Sequence, residues 1–162
     1  AEAASLTEQI LSGYLAVHRA GYVHRDIKPA NIFLKEGKVK LADFGFAVPL
    51  AELTKHQNYN VGSPQYMPPE ALKENLYSFS SDVWAVGVIF FEMMKGCPPW
   101  RARSEQMLYS KLLNEPIDQM LTDIPSQCRE FLTKALNISV DERLTIQEVG
   151  KWVDTFREIA AG

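Results

Sequence analysis

The sequence predicts a mostly α-helical fold with one small β-hairpin, and three observations predict it. Apolar residues recur at helical spacing in four segments, 6–17, 104–114, 126–137 and 145–160. A fifth segment, 82–95, is apolar on nearly all sides and stops at Gly96, as expected of a helix at the centre of a bundle. Two short strand-like runs, Asn31-Ile32-Phe33-Leu34 and Lys38-Val39-Lys40-Leu41, flank a turn at Lys35-Glu36-Gly37.

In chain order, Leu6, Ile10, Leu11, Tyr14, Leu15 and Val17 share one broad helical face, and Gly21 is placed to end that helix. Tyr22-Val23 reads as a short strand running into the polar loop His24-Arg25-Asp26. Segment 43–70 has no sustained period and holds Pro49, Pro64, Pro68, Pro69, Gly45 and Gly62. A loop of that length is usually functional rather than connective. A short helical turn is expected over 71–74. Ser104 and Ser126 are natural N-caps, and Thr145 with Glu148 has the spacing of a capping box. No linker interrupts the pattern, so residues 1–162 read as one domain.

Composition bounds the function. The 162 residues suffice for one hydrophobic core, and 46% hydrophobic with 23% charged residues is the balance of an ordinary soluble globular protein. That excludes a disordered tail or a fibrous repeat. Seventeen basic against twenty acidic side chains leave a net charge of −3, without the basic excess of a nucleic-acid binder. Cys97 and Cys128 lie far apart, which suggests two buried thiols in a reducing compartment, hence a cytoplasmic location. The N-terminus has no signal-peptide pattern. The most apolar stretch, 83–94, is too short to span a bilayer and carries Glu92, so no membrane span is expected.

Chemistry concentrates in three motifs. Phosphoryl transfer needs an anionic group near the acceptor hydroxyl, a cation near the transferred phosphate and oxygen ligands for a hard metal. In His24-Arg25-Asp26-Ile27-Lys28-Pro29-Ala30-Asn31, Asp26, Lys28 and Asn31 supply one of each. Asp43-Phe44-Gly45 follows a strand, and its carboxylate could share the metal with Asn31. The third motif is Gly62-Ser63-Pro64-Gln65-Tyr66-Met67-Pro68-Pro69-Glu70. Each alone is weak, since Asp-Phe-Gly is a common turn and His-Arg-Asp can be a solvated charge cluster. Together, and in this order, they resemble the eukaryotic protein kinase family of serine/threonine type, over almost the whole chain. Ser81-Asp82-Val83-Trp84-Ala85-Val86-Gly87 and Asp141-Glu142-Arg143 extend the likeness.

The resemblance implies the C-terminal lobe of a protein kinase-like fold, with a catalytic loop at 24–31, an activation segment at 43–70 and a helical subdomain at 71–162. It implies ATP and Mg2+ as cofactors and protein serine or threonine hydroxyls as acceptors. Asp26 matches the catalytic aspartate, Lys28 the lysine that neutralises the transferred phosphate, and Asn31 with Asp43 the magnesium ligands. Lys28, Ala30, Asn31, Phe33 and Asp43 are the implied nucleotide contacts, with Ile32, Phe33 and Leu34 forming the floor beneath the adenine. His24 and Phe44 match the lower part of a hydrophobic column, and Gly45 completes the turn after Asp43. Asp82 matches the anchor of the catalytic-loop backbone, and Glu70 with Arg143 a buried ion pair. Gly62, Ser63 and Pro64 match the loop that receives the acceptor segment. Arg25 marks kinases whose loop arginine holds an activation-segment phosphate, for which Thr54 and Tyr59 are the available hydroxyls.

No two glycines are one residue apart, so the family's Gly-x-Gly-x-x-Gly flap is missing, and only one helix precedes the catalytic loop. The chain is therefore expected to lack the N-terminal lobe, to expose an apolar seat for it and to bind Mg-ATP poorly alone. The competing readings are a kinase-derived scaffold module and a small-molecule kinase; the latter lacks the long activation segment.

Overall fold

The structure is a computed structural model that describes residues 1–56 and 61–162, with the backbone alone for 54–56. Helix α1 (Glu2–Arg19) packs Ile10, Leu11 and Tyr14 into the core and ends at Ala20, after which Gly21 takes φ 89°. Strand β1 (Tyr22–Val23) leads into the loop at His24. Strands β2 (Ile32–Lys35) and β3 (Lys38–Leu41) form the expected antiparallel hairpin, with Lys35 opposite Lys38. Its two turn residues, Glu36 and Gly37, both have positive φ, 52° and 76°, the geometry whose twist suits a two-residue hairpin loop.

The long segment after Asp43 is not featureless. Strand β4 (Val48–Pro49) pairs antiparallel with β1, Val48 opposite Val23, and Leu50 donates to the Gly21 carbonyl at 2.7 Å. Tyr22-Val23 is legible in the sequence as a strand, whereas Val48-Pro49, inside a segment without a sustained period, is not. 3-10 helices follow at Leu50–His56 and, as a single turn, at Pro64–Tyr66. Helix α2 (Pro69–Glu74) closes on Asn75 in the left-handed region.

Helix α3 (Phe79–Lys95) starts three residues before the expected boundary. Ser78 accepts from the Ser80 amide, while Ser81 Oγ accepts from the Ser78 amide, a capping box built from two serines. Helix α4 (Glu105–Asn114) is capped by Ser104, which accepts from the Met107 amide at 3.1 Å. Helix α5 (Ser126–Ala135) departs from expectation. The Pro125 carbonyl already takes the first helical hydrogen bond, from Arg129 at 2.9 Å, so Pro125 is the cap and Ser126 the first helical residue. Helix α6 (Ile146–Ala161) has the Thr145–Glu148 capping box as read.

The core is centred on α3, whose Val83, Trp84, Val86 and Phe90 are fully buried. Phe90, Phe131 and Phe156 meet edge to face at 4.9–5.7 Å and join α3, α5 and α6. A Cβ on Gly87 would stand 3.0 Å from Ala135 and Leu136, so glycine is what lets α5 approach α3. Cys128 is buried, but Cys97 is half-exposed, because it follows the Gly96 terminus of α3 rather than lying inside an element. No described helix is long and apolar enough to cross a membrane.

Candidate active site

The loop at 24–31 is held from two sides. From below, Asp82 in the first turn of α3 accepts the His24 amide on Oδ2 at 2.8 Å and the Arg25 amide on Oδ1 at 3.0 Å. Burial pushes the Asp82 carboxyl up to about 6, against the opposing pull of those two amides. From the side, His24 Nδ1 accepts the Asp26 amide at 3.1 Å, which leaves Nε2 to donate to the Ala42 carbonyl at 3.0 Å. This network assigns the tautomer. The Ala42 amide donates to the Asn31 carbonyl at 2.9 Å. The loop is thereby tied to the residue that precedes Asp43. Arg25 and Asp43 both take positive φ, 70° and 55°, backbone conformations that these tethers sustain.

Asp26, Lys28 and Ser63 converge. Asp26 is nearly buried, and Asn31 Nδ2 donates to its carbonyl at 2.8 Å and to Oδ2 at 3.1 Å. Lys28 Nζ lies 3.8 Å from Asp26 Oδ1 and donates to Ser63 Oγ at 2.9 Å. Ser63 Oγ in turn reaches Asp26 Oδ1 at 3.5 Å. Gly62 makes this approach possible: it has φ 91°, and a Cβ there would sit 2.7 Å from the Arg25 carbonyl. Pro64 opens the turn that follows.

Asp43 is exposed, and its Oδ1 accepts the Gly45 amide at 3.3 Å. The Phe44 ring lies 4.9 Å from His24 and is half-exposed. Arg25 Nε donates to the Phe46 carbonyl at 2.7 Å, and its guanidinium lies 5.4 Å over Tyr77. Ala30 and Phe33 are exposed. Ile32 and Leu34 instead line a cavity of about 300 Å³ with Leu6, Ile10, Ile89 and Met93. Strand alternation forbids three consecutive side chains on one face, so of the expected floor only Phe33 faces away from that cavity. Thr54 contributes backbone to the turn at Leu50–His56, while its side chain, and Tyr59 entirely, lie outside the described residues.

The donor set suits a hard cation. Asn31 offers an amide oxygen and Asp43 a carboxylate, the ligand types Mg2+ takes when phosphates and water complete its shell. No cluster of three or more His, Cys, Asp or Glu that could cage a metal occurs among the described residues.

Below the loop, Arg143 forks onto Glu70, Nη1 to Oε2 at 2.6 Å and Nη2 to Oε1 at 2.8 Å. Its Nε donates to the Asn137 carbonyl at 2.6 Å, and the guanidinium lies 4.9 Å over the Trp84 ring. Sequence reasoning missed three tyrosines. Tyr77 touches Arg25 and donates to the Val61 carbonyl at 2.8 Å, joining the 24–31 loop to the Gly62 segment. Tyr66 donates to Glu92 at 3.0 Å, and burial followed by that bond raises its hydroxyl to about 12. Tyr14 is fully buried beside Asp82. Only helical periodicity marks Tyr14 in the sequence, and periodicity cannot tell a polar hydroxyl from a plain core ring.

The protein kinase domain family model matches residues 1–152. The chain belongs to the protein kinase family. Among its kinase relatives, human 3-phosphoinositide-dependent protein kinase 1 is 35% identical over 146 residues, covering 88% of this chain and 26% of the relative. Serine/threonine-protein kinase PKH2 of Saccharomyces cerevisiae is 34% identical, covering 87% of this chain and 14% of the relative. The calcium/calmodulin-dependent protein kinase type II alpha chain of Drosophila melanogaster is 32% identical, covering 99% of this chain and 32% of the relative. The kinase chain thus spans about a third or less of the length of these relatives.

Proposed function

We propose that this chain is the C-terminal catalytic lobe of a serine/threonine protein kinase, transferring the ATP γ-phosphate to protein hydroxyls when joined to an N-terminal lobe. The convergence of Asp26, Lys28 and Ser63 carries this reading, because it gathers an anion, a cation and a hydroxyl from segments 37 residues apart. Asp26 would orient the acceptor hydroxyl and take its proton as the new P–O bond forms and the bond from the γ-phosphorus to the bridging oxygen breaks, releasing ADP. Lys28 balances charge on the transferred group, and its bond to Ser63 keeps the ammonium from collapsing fully onto Asp26. Asn31 and Asp43 would hold Mg2+, which supplies charge neutralisation at the phosphates. Gly62, Ser63 and Pro64 would receive the acceptor segment. Phe33 and Ala30 would contact the nucleotide, with Phe44 and His24 stacked beneath the other lobe.

An apolar surface supports the need for that lobe. Tyr22 and Phe44 are exposed and, with Ala16, Val17, Ala20 and Ala47, line an open cavity of about 500 Å³. The test is γ-phosphate transfer to a serine peptide by the chain joined to its upstream lobe. Transfer is expected, with Asp26→Asn lowering kcat by about 100-fold or more. A folded two-lobe protein without transfer supports the scaffold reading instead.

A further inference from the structure

Tyr14 is a buried titratable group that the proposed chemistry leaves unused. It lies two-thirds along α1, its ring in the core against α3, with no solvent exposure. Its hydroxyl is sealed from water and has no hydrogen-bond partner of ordinary geometry among the described residues. The charge that acts on it is the Asp82 carboxylate, the group that receives the His24 and Arg25 amides. A phenol enclosed beside a carboxylate has one favourable use for its proton, since a buried donor left without a hydrogen bond forfeits the hydration it had in water. Thr7, two turns earlier on α1, is likewise buried, with a hydroxyl unpartnered among the described residues.

We propose that Tyr14 is a positioning residue: its hydroxyl donates to Asp82 and keeps that carboxylate ionised and aimed at the catalytic-loop backbone. The groups facing Asp82 are Tyr14 from α1 and His24 and Arg25 from the loop. Burial works against the Asp82 charge, whereas the two amides, His24 and the Tyr14 hydroxyl work for it. Without the hydroxyl, Asp82 protonates at a higher pH, and a protonated carboxyl offers one good acceptor to two amides. The hold on His24 and Arg25 then weakens, and with it the placing of Asp26. The effect on catalysis rests on the role proposed for Asp26; the effect on the backbone does not.

The test is amide-exchange protection of His24 and Arg25 against pH, measured on this chain as wild type, Tyr14→Phe and Thr7→Val. The expected result is an acid-side midpoint shifted upward by about half a pH unit or more in Tyr14→Phe, and unmoved in Thr7→Val. Replacing Tyr14 by 3-fluorotyrosine, whose hydroxyl is more acidic and donates more strongly, should shift the midpoint the opposite way. That substitution keeps the ring and its packing, so it reads the hydroxyl even where Tyr14→Phe disturbs folding. Coincident midpoints for wild type and the fluorinated protein, or for wild type and Tyr14→Phe, overturn the proposal. In the two-lobe protein the acid limb of kcat should move with the exchange midpoint. A shift in exchange without any kinase activity leaves Tyr14 as proposed and removes the proposed function.

Discussion

Replacing Glu70 by Gln tests the ion pair that braces the end of segment 43–70. The Arg143 side chain is fully buried, and its guanidinium meets Glu70 through two short bonds, with backbone carbonyls of Asn137 and Ile138 taking further donors. Gln keeps the shape of Glu but removes the charge and turns an NH2 toward one arm of the fork. Arg143 cannot shed its proton, and it sits over Trp84 with no path to water. Breaking a buried pair from one side typically costs about 3–5 kcal/mol. The lower figure applies here, because Glu70 retains 14% side-chain exposure and the carbonyls still hold part of the guanidinium. At about 3 °C per kcal/mol for a chain of this length, about 3 kcal/mol lowers Tm by about 9 °C. Thermal and urea unfolding followed by circular dichroism read this directly. The double variant Glu70→Gln with Arg143→Met should lose less than the two single losses added, since each single change strands a partner. Losses below about 1 kcal/mol in both single variants would refute the reasoning.

Asp82→Asn should change how stability depends on pH. The Asp82 carboxyl is pushed up from 3.8 to about 6, so between those values the folded state holds a proton that the unfolded state releases. Its stabilising contribution is therefore present below about 4 and lost as pH rises through about 6, a swing of about 3 kcal/mol. Relative to wild type, the Asn variant should gain by about that amount between pH 4 and pH 7 in urea titrations, and parallel curves would contradict this. Gly62→Ala meets both a φ of 91° and an Arg25 carbonyl 2.7 Å from the new Cβ. It should lower phosphoryl transfer by the two-lobe protein about tenfold or more through displacement of Ser63, and cost about 1–3 kcal/mol in urea unfolding. Gly87→Val forces branched methyls into Ala135 and Leu136 and should destabilise the chain by about 1–3 kcal/mol in the same unfolding assays.

Much of the fold was legible because its signals are local. The 82–95 run, the Thr145–Glu148 box and the Lys35-Glu36-Gly37 turn each determine structure through neighbours within a few residues. Pairings of low information were not legible. Strand β4 exists because Val48 meets Val23 across 25 residues; Tyr22-Val23 reads as a strand by itself, but Val48-Pro49 does not. The serine capping box at Ser78 escaped because Ser81 stands where Glu or Gln would have marked it. Motif order named Asp26, Lys28, Ser63, Glu70 and Arg143 as site residues. The contacts that bring Asp26, Lys28 and Ser63 together and join Arg143 to Glu70, and the placing of Ile32 and Leu34 on the face away from Phe33, came only from their arrangement in space.

The sequence by itself determined the family and the inventory of chemical groups, because side-chain identity and spacing are written in it. The tertiary structure alone decided which of those groups meet. Three connections run across long stretches of chain: Asp82 to the His24 and Arg25 amides over 58 and 57 residues, Ser63 to Asp26 over 37, and Arg143 to Glu70 over 73. Such contacts depend on the closed core around α3, where burial sets both the hydrogen bonds and the charge state of Asp82. Tyr14 is the clearest case, an ordinary aromatic on a helical face until the fold buries its hydroxyl beside Asp82, a carboxylate that holds the loop.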